Sequence, residues 1–424
     1  MVTKRARPDS WPASRARPHA SNRFAMTSDY DRFVFVALPG RSEYVVAGRF
    51  RMSGDPPMGE FIYGHSYLSR TDAVELDPVH LTLSGRVRKG SVDGLFGAIR
   101  DARASSWGRF VKGRQDGAEY LVQSTTDYGG ALAFARGLEA PAPKRRYNAV
   151  GDLVRIKAAL DAAAPEEQRD APLWETLPQG RRPVEASAPR VIVEDGRTLW
   201  IAKFPQDGMI WNQTRVRHAT LQLARNCGLD AVPSRIEVVR GEDVLLVRRY
   251  DRAWVGDGYA CSRLISGFTL LGTGDTPTAE HDWSYLTLAD QVRRASSHPR
   301  EDLRELFGRL CFNAAISYLT DDPRHPIMVA KGTGWRLAPA SSPAPTPLAE
   351  GKRGDFTMIC GPAGRSPNRE NILAGAGRFL LDRAAAEAIF DRISRIVQSS
   401  WYDAMRSSGV SVNDCDLVGR SIGR

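Results

Sequence analysis

The sequence lacks the features that define several classes of protein. It has no apolar run near the roughly 18 residues of a membrane span, and its mean hydropathy is −0.35, which argues against a helical membrane protein. Only five of its 424 residues are cysteine and none forms a Cys-x-x-Cys pair, so neither a zinc site nor a disulfide framework is predicted. The five are Cys227, Cys261, Cys311, Cys360 and Cys415. Isolated cysteines are typical of buried residues in a cytoplasmic protein, and we expect that location.

Acidic residues are outnumbered by basic ones, and much of the imbalance is local. The chain has 59 Lys and Arg against 49 Asp and Glu, a net charge of +10. Residues 1–25 contribute six cations and one carboxylate, which is half of the excess. Residues 1–27 are rich in Pro, Ser and Arg and lack the apolar segment of a secretory signal, which predicts a disordered basic tail, with Met26 as an alternative start. A basic arm that contacts DNA is the alternative interpretation.

The first part of the chain has the pattern of a sheet-rich subdomain, predicted over residues 28–140. Short β-type runs alternate there with Gly and Pro. These runs are Phe33–Val36, Tyr44–Ala47 and His80–Leu83. Residues 141–185 hold six prolines around one helical stretch near residues 150–163, which predicts a linker with a helix.

The second part has the pattern of a strand-containing lobe over residues 186–252 and a mainly helical lobe over residues 253–424. Apolar residues recur at helical spacing in two long segments of the latter. They are Leu303, Leu306, Phe307, Leu310 and Ala314, and Ile389, Phe390, Ile393, Ile396, Val397, Trp401 and Met405. Asp382 is a predicted N-cap of the second helix and Gly409 its predicted terminator.

The stretch from Phe312 to Ser342 is laid out like the catalytic loop and metal-binding segment of a small kinase. Around it, in order, stand the blocks LWIAKFP, LQLARNCGL, LLVRRYDR, FTLLG, GWRLAPA and RENILAGAGRFLL, preceded near the N-terminus by VFVALPGRSEYVVAGRF, GEFIYGHSYL and Trp107–Arg109. Over nearly its whole length the chain resembles the HipA family. The resemblance implies an α+β HipA-like kinase fold, with a sheet-rich N-terminal subdomain, a nucleotide lobe and a mainly helical C-terminal lobe.

The resemblance also implies a function. HipA proteins are serine/threonine kinase toxins of bacterial toxin–antitoxin systems, transferases that use ATP and Mg²⁺. The implied partner is a helix-turn-helix antitoxin of HipB type, and DNA would be contacted only indirectly, through that antitoxin. No membrane is implied. The protein substrate is an aminoacyl-tRNA synthetase in some members, and this sequence does not identify one.

The phosphate-binding turn of the family is poorly kept. Its Gly-Gly-x-x-Pro-Lys pattern matches residues 185–190, where only Pro189 and the basic Arg190 remain. No glycine lies between Pro183 and Asp195, although bare backbone amides are what allows phosphates to approach such a turn. ATP binding by this turn is therefore doubtful.

Lys203, at the end of LWIAKFP, matches the lysine that contacts the α- and β-phosphates, and it is the first candidate for nucleotide contact. A lysine that merely extends from a strand end into solvent is the alternative. The family pairs this lysine with a glutamate on the next helix, and Arg217 stands at that position. No acidic residue occurs from Gly208 to Leu229, so no nearby register supplies the glutamate.

A hinge that contacts adenine is implied at Arg248, Arg249 and Tyr250, which precede the family's Asp251-Arg252. Backbone contacts to adenine tolerate changes of side chain. The alternative is a structural strand and turn in which Asp251 pairs with a nearby arginine.

The catalytic and metal positions carry the clearest departures. Thr320 stands at the expected base position, and the neighbouring Asp321 is the candidate catalytic acid or base. His325 and Ser342 stand where the family holds Mg²⁺ with an asparagine and an aspartate, so no metal ligand is assigned. Oxygen ligands and charge neutralisation are what Mg²⁺ and phosphoryl transfer need.

Three functional hypotheses follow. The chain is a weakly active or inactive pseudokinase that acts by partner binding, an active kinase that uses Asp321, or a decaying copy with no selected role. We favour the first, because the phosphate turn, the glutamate partner and both metal positions have all changed.

Overall fold

The computed structural model describes residues 30–54, 56–90, 94–102, 129–162, 190–205, 209, 211–274, 277–347 and 354–422. Several predicted features lie outside the described residues. They are the basic tail with Met26, the Trp107–Arg109 block, and Glu185 and Pro189 of the phosphate turn.

The N-terminal subdomain is built on an antiparallel sheet of order β4-β3-β2-β1-β5. Its strands are β1 (Tyr30–Ala37), β2 (Tyr44–Ser53), β3 (Met58–Tyr63), β4 (Arg88–Gly90) and β5 (Leu132–Ala135), with short helices α1 (His65–Leu68) and α2 (Gly97–Asp101). Strand β1, which lies between β2 and β5, is apolar on both faces, and Val34, Phe35 and Val36 are fully buried. The two runs predicted around 33–36 and 44–47 are therefore strands.

The predicted strand His80–Leu83 is wrong, because the structure has bends there. The carboxylate of Asp77 accepts hydrogen bonds from the backbone amides of Val79, His80 and Leu81. A side chain that captures successive amides replaces a strand partner and favours a turn. Leu81 is nevertheless fully buried. The apolar pattern of this segment therefore predicted a buried residue correctly, although the segment is not a strand.

The second lobe is built on a sheet of order β6-β7-β8-β10-β9, in which only the short β6–β7 pair is parallel. Its elements are β6 (Asn148–Ala149), α3 (Leu153–Ala162), β7 (Arg190–Asp195), β8 (Thr198–Lys203), α4 (Gln213–Asn226), β9 (Ser234–Val239) and β10 (Glu242–Arg248). Helix α3 lies within the predicted helical stretch. Leu153 and Ile156 of α3 share a small core with Val191, Val193 and other residues of the sheet.

The C-terminal lobe begins with short strands and continues as helices. The strands are β11 (Arg252–Val255), β12 (Gly258–Cys261), β13 (Arg263–Ser266), β14 (Ile327–Ala330) and β15 (Arg336–Leu337). The helices are α5 (Gly267–Leu271), α6 (Tyr285–Ala295), α7 (Pro299–Ala315), α8 (Arg369–Ala374), α9 (Arg383–Ser407) and α10 (Val412–Gly419). Strands β13, β14 and β15 form a sheet that lies next to the candidate catalytic loop in sequence.

Both predicted helical stripes are confirmed as packing faces of α7 and α9. Leu303 and Phe307 of α7 and Ile393 and Val397 of α9 are fully buried in the main core. The Asp382 side chain accepts a 2.7 Å hydrogen bond from the Ala385 amide, as an N-cap does. Gly409 follows the end of α9 with a φ of +78°, the left-handed conformation that ends helices.

The N-terminal subdomain is joined to the C-terminal lobe by buried polar contacts. The Asp101 carboxylate accepts hydrogen bonds from the backbone amide and the hydroxyl of Ser266, at 2.7 and 2.6 Å. The Trp335 indole donates to Glu75 at 3.0 Å. The Asp101 contact fixes the start of α5, on which the candidate catalytic loop rests, because Ser266 is the N-cap of that helix.

All five cysteines are buried free thiols, as predicted. Within the part of the chain that the structure describes, no helix is both long and apolar enough to cross a membrane.

Candidate functional site

Lys203 lies at the end of β8, where its neighbours on the sheet are set by strand register. It is the cross-strand partner of Leu245 on β10 and of Arg190 on β7. Directly paired residues of antiparallel strands place their side chains on the same face. Lys203 and Arg190 are therefore two cations on one face, an arrangement that destabilises a sheet unless an anion is present.

Ser342 reaches Lys203 from the opposite lobe. The Lys203 Nζ donates a 3.1 Å hydrogen bond to the Ser342 Oγ, which joins residues 139 apart in the chain. The residues predicted from sequence to occupy the phosphate-contacting and metal-binding positions are thus brought together. A neutral hydroxyl, however, leaves the charge of the ammonium group uncompensated.

Arg217 lies on α4 and lines the same small cleft as Lys203. The other lining residues are Phe204, Pro205, Gln213, Thr214 and Leu245. The N-terminus of α4 is fixed by Asn212, whose side chain accepts the Arg215 amide at 3.0 Å. The helix therefore presents a guanidinium group to the lysine where the family has a carboxylate.

The three cations Arg190, Lys203 and Arg217 form what we call the cation cluster. Burial, and after it the charges of Arg217 and Arg190, together lower the pKa of the Lys203 amine to about 7. Burial also lowers the pKa of Arg190, with Arg324 contributing, and burial lowers that of Arg217. No carboxylate among the described residues contributes to the pKa of any of the three.

Asp321, the candidate catalytic residue, is almost completely buried and hydrogen-bonded at both oxygens. Its Oδ2 accepts from the Tyr285 hydroxyl and, at 3.0 Å, from the Asn313 amide. Its Oδ1 lies 2.8 Å from the His325 Nδ1. Thr320, at the base position, is exposed. The carboxylate next to the expected base position therefore holds the loop together by linking Tyr285, Asn313 and His325.

The loop that carries Asp321 follows α7 through a strained turn. Ser317 has a φ of +52°, unusual for a residue with a side chain, and its hydroxyl donates to the Ser421 carbonyl at 2.5 Å. The loop then rests on the start of α5. A Cβ on Gly267 would lie 2.6 Å from the Pro323 carbonyl oxygen, so only glycine permits this close approach.

Two backbone amides of the predicted adenine hinge already donate hydrogen bonds within the protein. The Arg248 amide donates to the Pro233 carbonyl and the Arg249 amide to the Leu199 carbonyl, both at 2.8 Å. Asp251 forms ion pairs with Arg249 at 2.8 Å and with Arg252 at 2.7 Å. Asp251 thus pairs with nearby arginines, as the structural alternative for this segment predicted. A nucleotide contact by Arg248, Arg249 and Tyr250 stays a prediction.

The described residues do not fit Mg²⁺. In this part of the chain no group of three or more His, Cys, Asp or Glu could hold a metal ion. His325 is engaged by Asp321, and Ser342 by Lys203. Mg²⁺ takes oxygen ligands, usually with one or two carboxylates. His325 and Ser342 therefore do not form a Mg²⁺ site.

Comparison with known proteins decides the family. The family model of the HipA-like C-terminal domain matches residues 154–401, more than half of the chain. The chain belongs to the HipA family. Its fold is similar to that of HipA in the Shewanella oneidensis MR-1 HipA, HipB and operator DNA complex, with a TM-score of 0.67 and 13% identity over 91% of this chain and 94% of that chain.

A second structure is less similar. The Helicobacter pylori proinflammatory kinase CtkA has a TM-score of 0.36 and 8% identity, over 53% of this chain and 92% of that chain, which is too low to support an argument. No curated protein matches the chain in sequence. Family membership and the HipA-like α+β fold were both predicted from the sequence and are confirmed.

Sequence reasoning missed two parts of the site. It weighed Arg190 as a phosphate-turn residue and did not pair it with Lys203, although strand register alone would have placed them side by side. It also missed Tyr285 and Asn313 as partners of Asp321. No local signal marks these two residues, because they lie 36 and 8 positions away in the chain.

Proposed function

We propose that this HipA-family protein has kept a serine/threonine kinase fold and has lost phosphoryl transfer, so that it acts by binding a partner in a toxin–antitoxin system of the cytoplasm. The observation that carries the proposal is the Lys203–Ser342 contact with Arg217 beside it. Two positions that supply carboxylates in a HipA kinase hold a hydroxyl and a guanidinium group. Positioning and charge neutralisation are most of phosphoryl-transfer catalysis, and this site supplies neither around a metal ion.

The partner we propose is a helix-turn-helix antitoxin of HipB type, with DNA contacted only through it. The similar Shewanella protein was solved with HipB and operator DNA. Similarity of fold over 91% of this chain supports a comparable docking surface.

The alternative is an active kinase that uses Asp321 as its base. Both carboxylate oxygens of Asp321 hydrogen-bond to neighbouring side chains, and the residue is almost completely buried. A general base must lie within hydrogen-bond reach of the proton that it removes, so this alternative requires a substrate hydroxyl to reach this buried carboxylate.

Transfer of labelled phosphate tests the proposal. The full chain is incubated with radiolabelled ATP and Mg²⁺, with and without an extract that contains aminoacyl-tRNA synthetases. We expect no incorporation above that of a Lys203→Ala variant. Labelled phosphoserine that depends on Lys203 would overturn the proposal and make Asp321→Asn the next variant.

Partner binding is tested separately. The chain is co-expressed with a helix-turn-helix protein of HipB type. We expect a stable complex that forms without nucleotide and that Lys203→Ala leaves intact. If the two proteins purify apart, the partner-binding part of the proposal is wrong.

A further inference from the structure

Several partly buried cations of the described residues pair with carboxylates, whereas the described residues show no ion pair for any member of the cation cluster. The paired ones are Arg249 and Arg252 with Asp251, Lys157 with Asp161 and Glu242, Arg215 with Asp243, and Arg309 with Glu305. A charge withdrawn from water is costly unless it is paired and hydrogen-bonded. Three such charges in one place predict a ligand that supplies the missing negative charge.

The cluster has the geometry of an anion site. Its members come from three elements, Arg190 from β7, Lys203 from β8 and Arg217 from α4, which are fixed by the sheet and by a capped helix. Hydroxyl groups lie beside them, since Ser342 contacts Lys203 and Thr214 lines the same cleft. Two guanidinium groups, one ammonium group and neighbouring hydroxyls are donors that match phosphate oxygens.

We propose that the cation cluster binds a polyphosphate anion without a metal ion. Arg217 supplies, in place of Mg²⁺, positive charge that neutralises the phosphates, and Arg190 and Lys203 hold them against the face of the sheet. The inference goes beyond the proposed function, because a partner-binding protein can be either liganded or free. Mg²⁺ should weaken anion binding by the cation cluster, whereas it supports nucleotide binding in a kinase, because Mg²⁺ bound to the anion competes with the three cations.

Titration calorimetry of the full chain with inorganic pyrophosphate in EDTA tests the inference. We expect saturable 1:1 binding in the micromolar range, which weakens when salt is added because the attraction is electrostatic. Excess Mg²⁺ should weaken it further. Proton uptake should accompany binding near neutral pH, because the anion raises the pKa of Lys203, which is otherwise about 7.

Variants on one helix separate the cluster from general charge. Arg217→Gln should weaken pyrophosphate binding by about tenfold or more, the effect of losing one charged hydrogen-bonding partner. Arg215→Gln removes the same charge from α4, but the Arg215 guanidinium group pairs with Asp243 at 2.6 Å, so affinity should stay unchanged. Thermal melts of both variants establish that they are folded. Arg190→Gln, on a different element, should weaken binding as Arg217→Gln does.

Comparison of ligands identifies the source of the anion. Tighter binding of ATP than of pyrophosphate, with competition by adenosine, assigns a nucleotide, and equal affinity assigns a free polyphosphate. Both outcomes support the cluster as the site. The inference is overturned if neither anion saturates the protein below about 10 mM, if Arg217→Gln binds as well as the unaltered chain, or if binding requires Mg²⁺.

Discussion

Replacing Lys203 by methionine should stabilise the protein, which is an unusual expectation for a residue at a candidate active site. The surroundings lower the pKa of the Lys203 amine from 10.5 to about 7, mainly through burial and then through Arg217 and Arg190. A shift of this size corresponds to roughly 5 kcal/mol when the amine is charged. Partial exposure to solvent reduces the effect, and we expect the free energy of unfolding to rise by about 2 kcal/mol at low pH.

The gain should depend on pH in a defined direction. Between about pH 7 and 10.5 the unfolded chain keeps a proton on Lys203 that the folded chain has released. The free energy of unfolding contributed by Lys203 therefore rises with pH through this window. The methionine variant has no such proton. Its advantage should be largest below about pH 7 and should fall towards zero as the pH approaches 10.5.

Lys157→Met is the matched control, because this lysine is paired. Its amine contacts Asp161 and, at 2.9 Å, Glu242, and the hydrogen bonds that it donates to these carboxylates raise its pKa against the opposing effect of burial. Urea unfolding followed by circular dichroism at pH 6 and pH 9 compares the variants. Lys203→Met should gain stability, more at pH 6, and Lys157→Met should lose it. A loss in Lys203→Met at pH 6, or a gain that does not change with pH, would refute the charge argument.

Three further predictions concern Asp321, Asp251 and Ser342. Asp321→Ala leaves the buried Tyr285 hydroxyl without its acceptor and should lower the free energy of unfolding in urea by about 3 kcal/mol. Thr320→Ala, at an exposed position, is the control and should lower it by less than about 0.5 kcal/mol. Equal losses would contradict a structural role for the Asp321 carboxylate. The pKa of Asp251 is lowered to about 2, because the charges of Arg249 and Arg252 outweigh the effect of burial. The stabilisation that Asp251 provides is therefore present above pH 3.8 and is lost as the pH falls through about 2. Asp251→Asn should flatten this part of the acid-unfolding curve, and an unchanged curve would refute the assignment. Ser342→Asp should raise the melting temperature by pairing with Lys203 and should introduce Mg²⁺-dependent ATP binding, measured by calorimetry; no metal dependence would show that the register through Ser342 is wrong.

Cooperative unfolding is also expected of the unaltered chain, because the two helical stripes are buried at the positions that the sequence predicted. A broad, non-cooperative thermal melt would instead favour the hypothesis of a decaying copy.

Helices were predictable here because their signals are local. The stripes of α7 and α9 repeat at helical spacing, and Asp382 and Gly409 mark the ends of α9 by side-chain and backbone preference. The segment His80–Leu83 shows where local pattern fails. Its polar and apolar residues alternate as in a strand, but the Asp77 carboxylate accepts hydrogen bonds from three nearby backbone amides. The alternation of residue types does not show that a side chain competes for these amides.

Only those site residues that match HipA motifs could be predicted from the sequence. Matching to HipA motifs placed Lys203 at the phosphate-contacting position and Ser342 at a metal-binding position, and the structure brings the two side chains within a hydrogen bond. The pairing of Arg190 with Lys203 depends on how β7 and β8 lie side by side. The burial of Asp321 among Tyr285 and Asn313 depends on packing of α6 against α7. Both are long-range consequences of the fold, which spacing along one sequence does not contain.

The central claim is that this site cannot use Mg²⁺ to hold a nucleotide for transfer. It is tested most directly by the affinity of the unaltered chain for ATP, measured by calorimetry in EDTA and again with saturating Mg²⁺. We predict that ATP binds at least as tightly in EDTA, because Arg217 and Arg190 supply positive charge and the described residues contain no group of three or more His, Cys, Asp or Glu that could hold a metal ion. Binding that is tenfold or more tighter with Mg²⁺ would contradict the account.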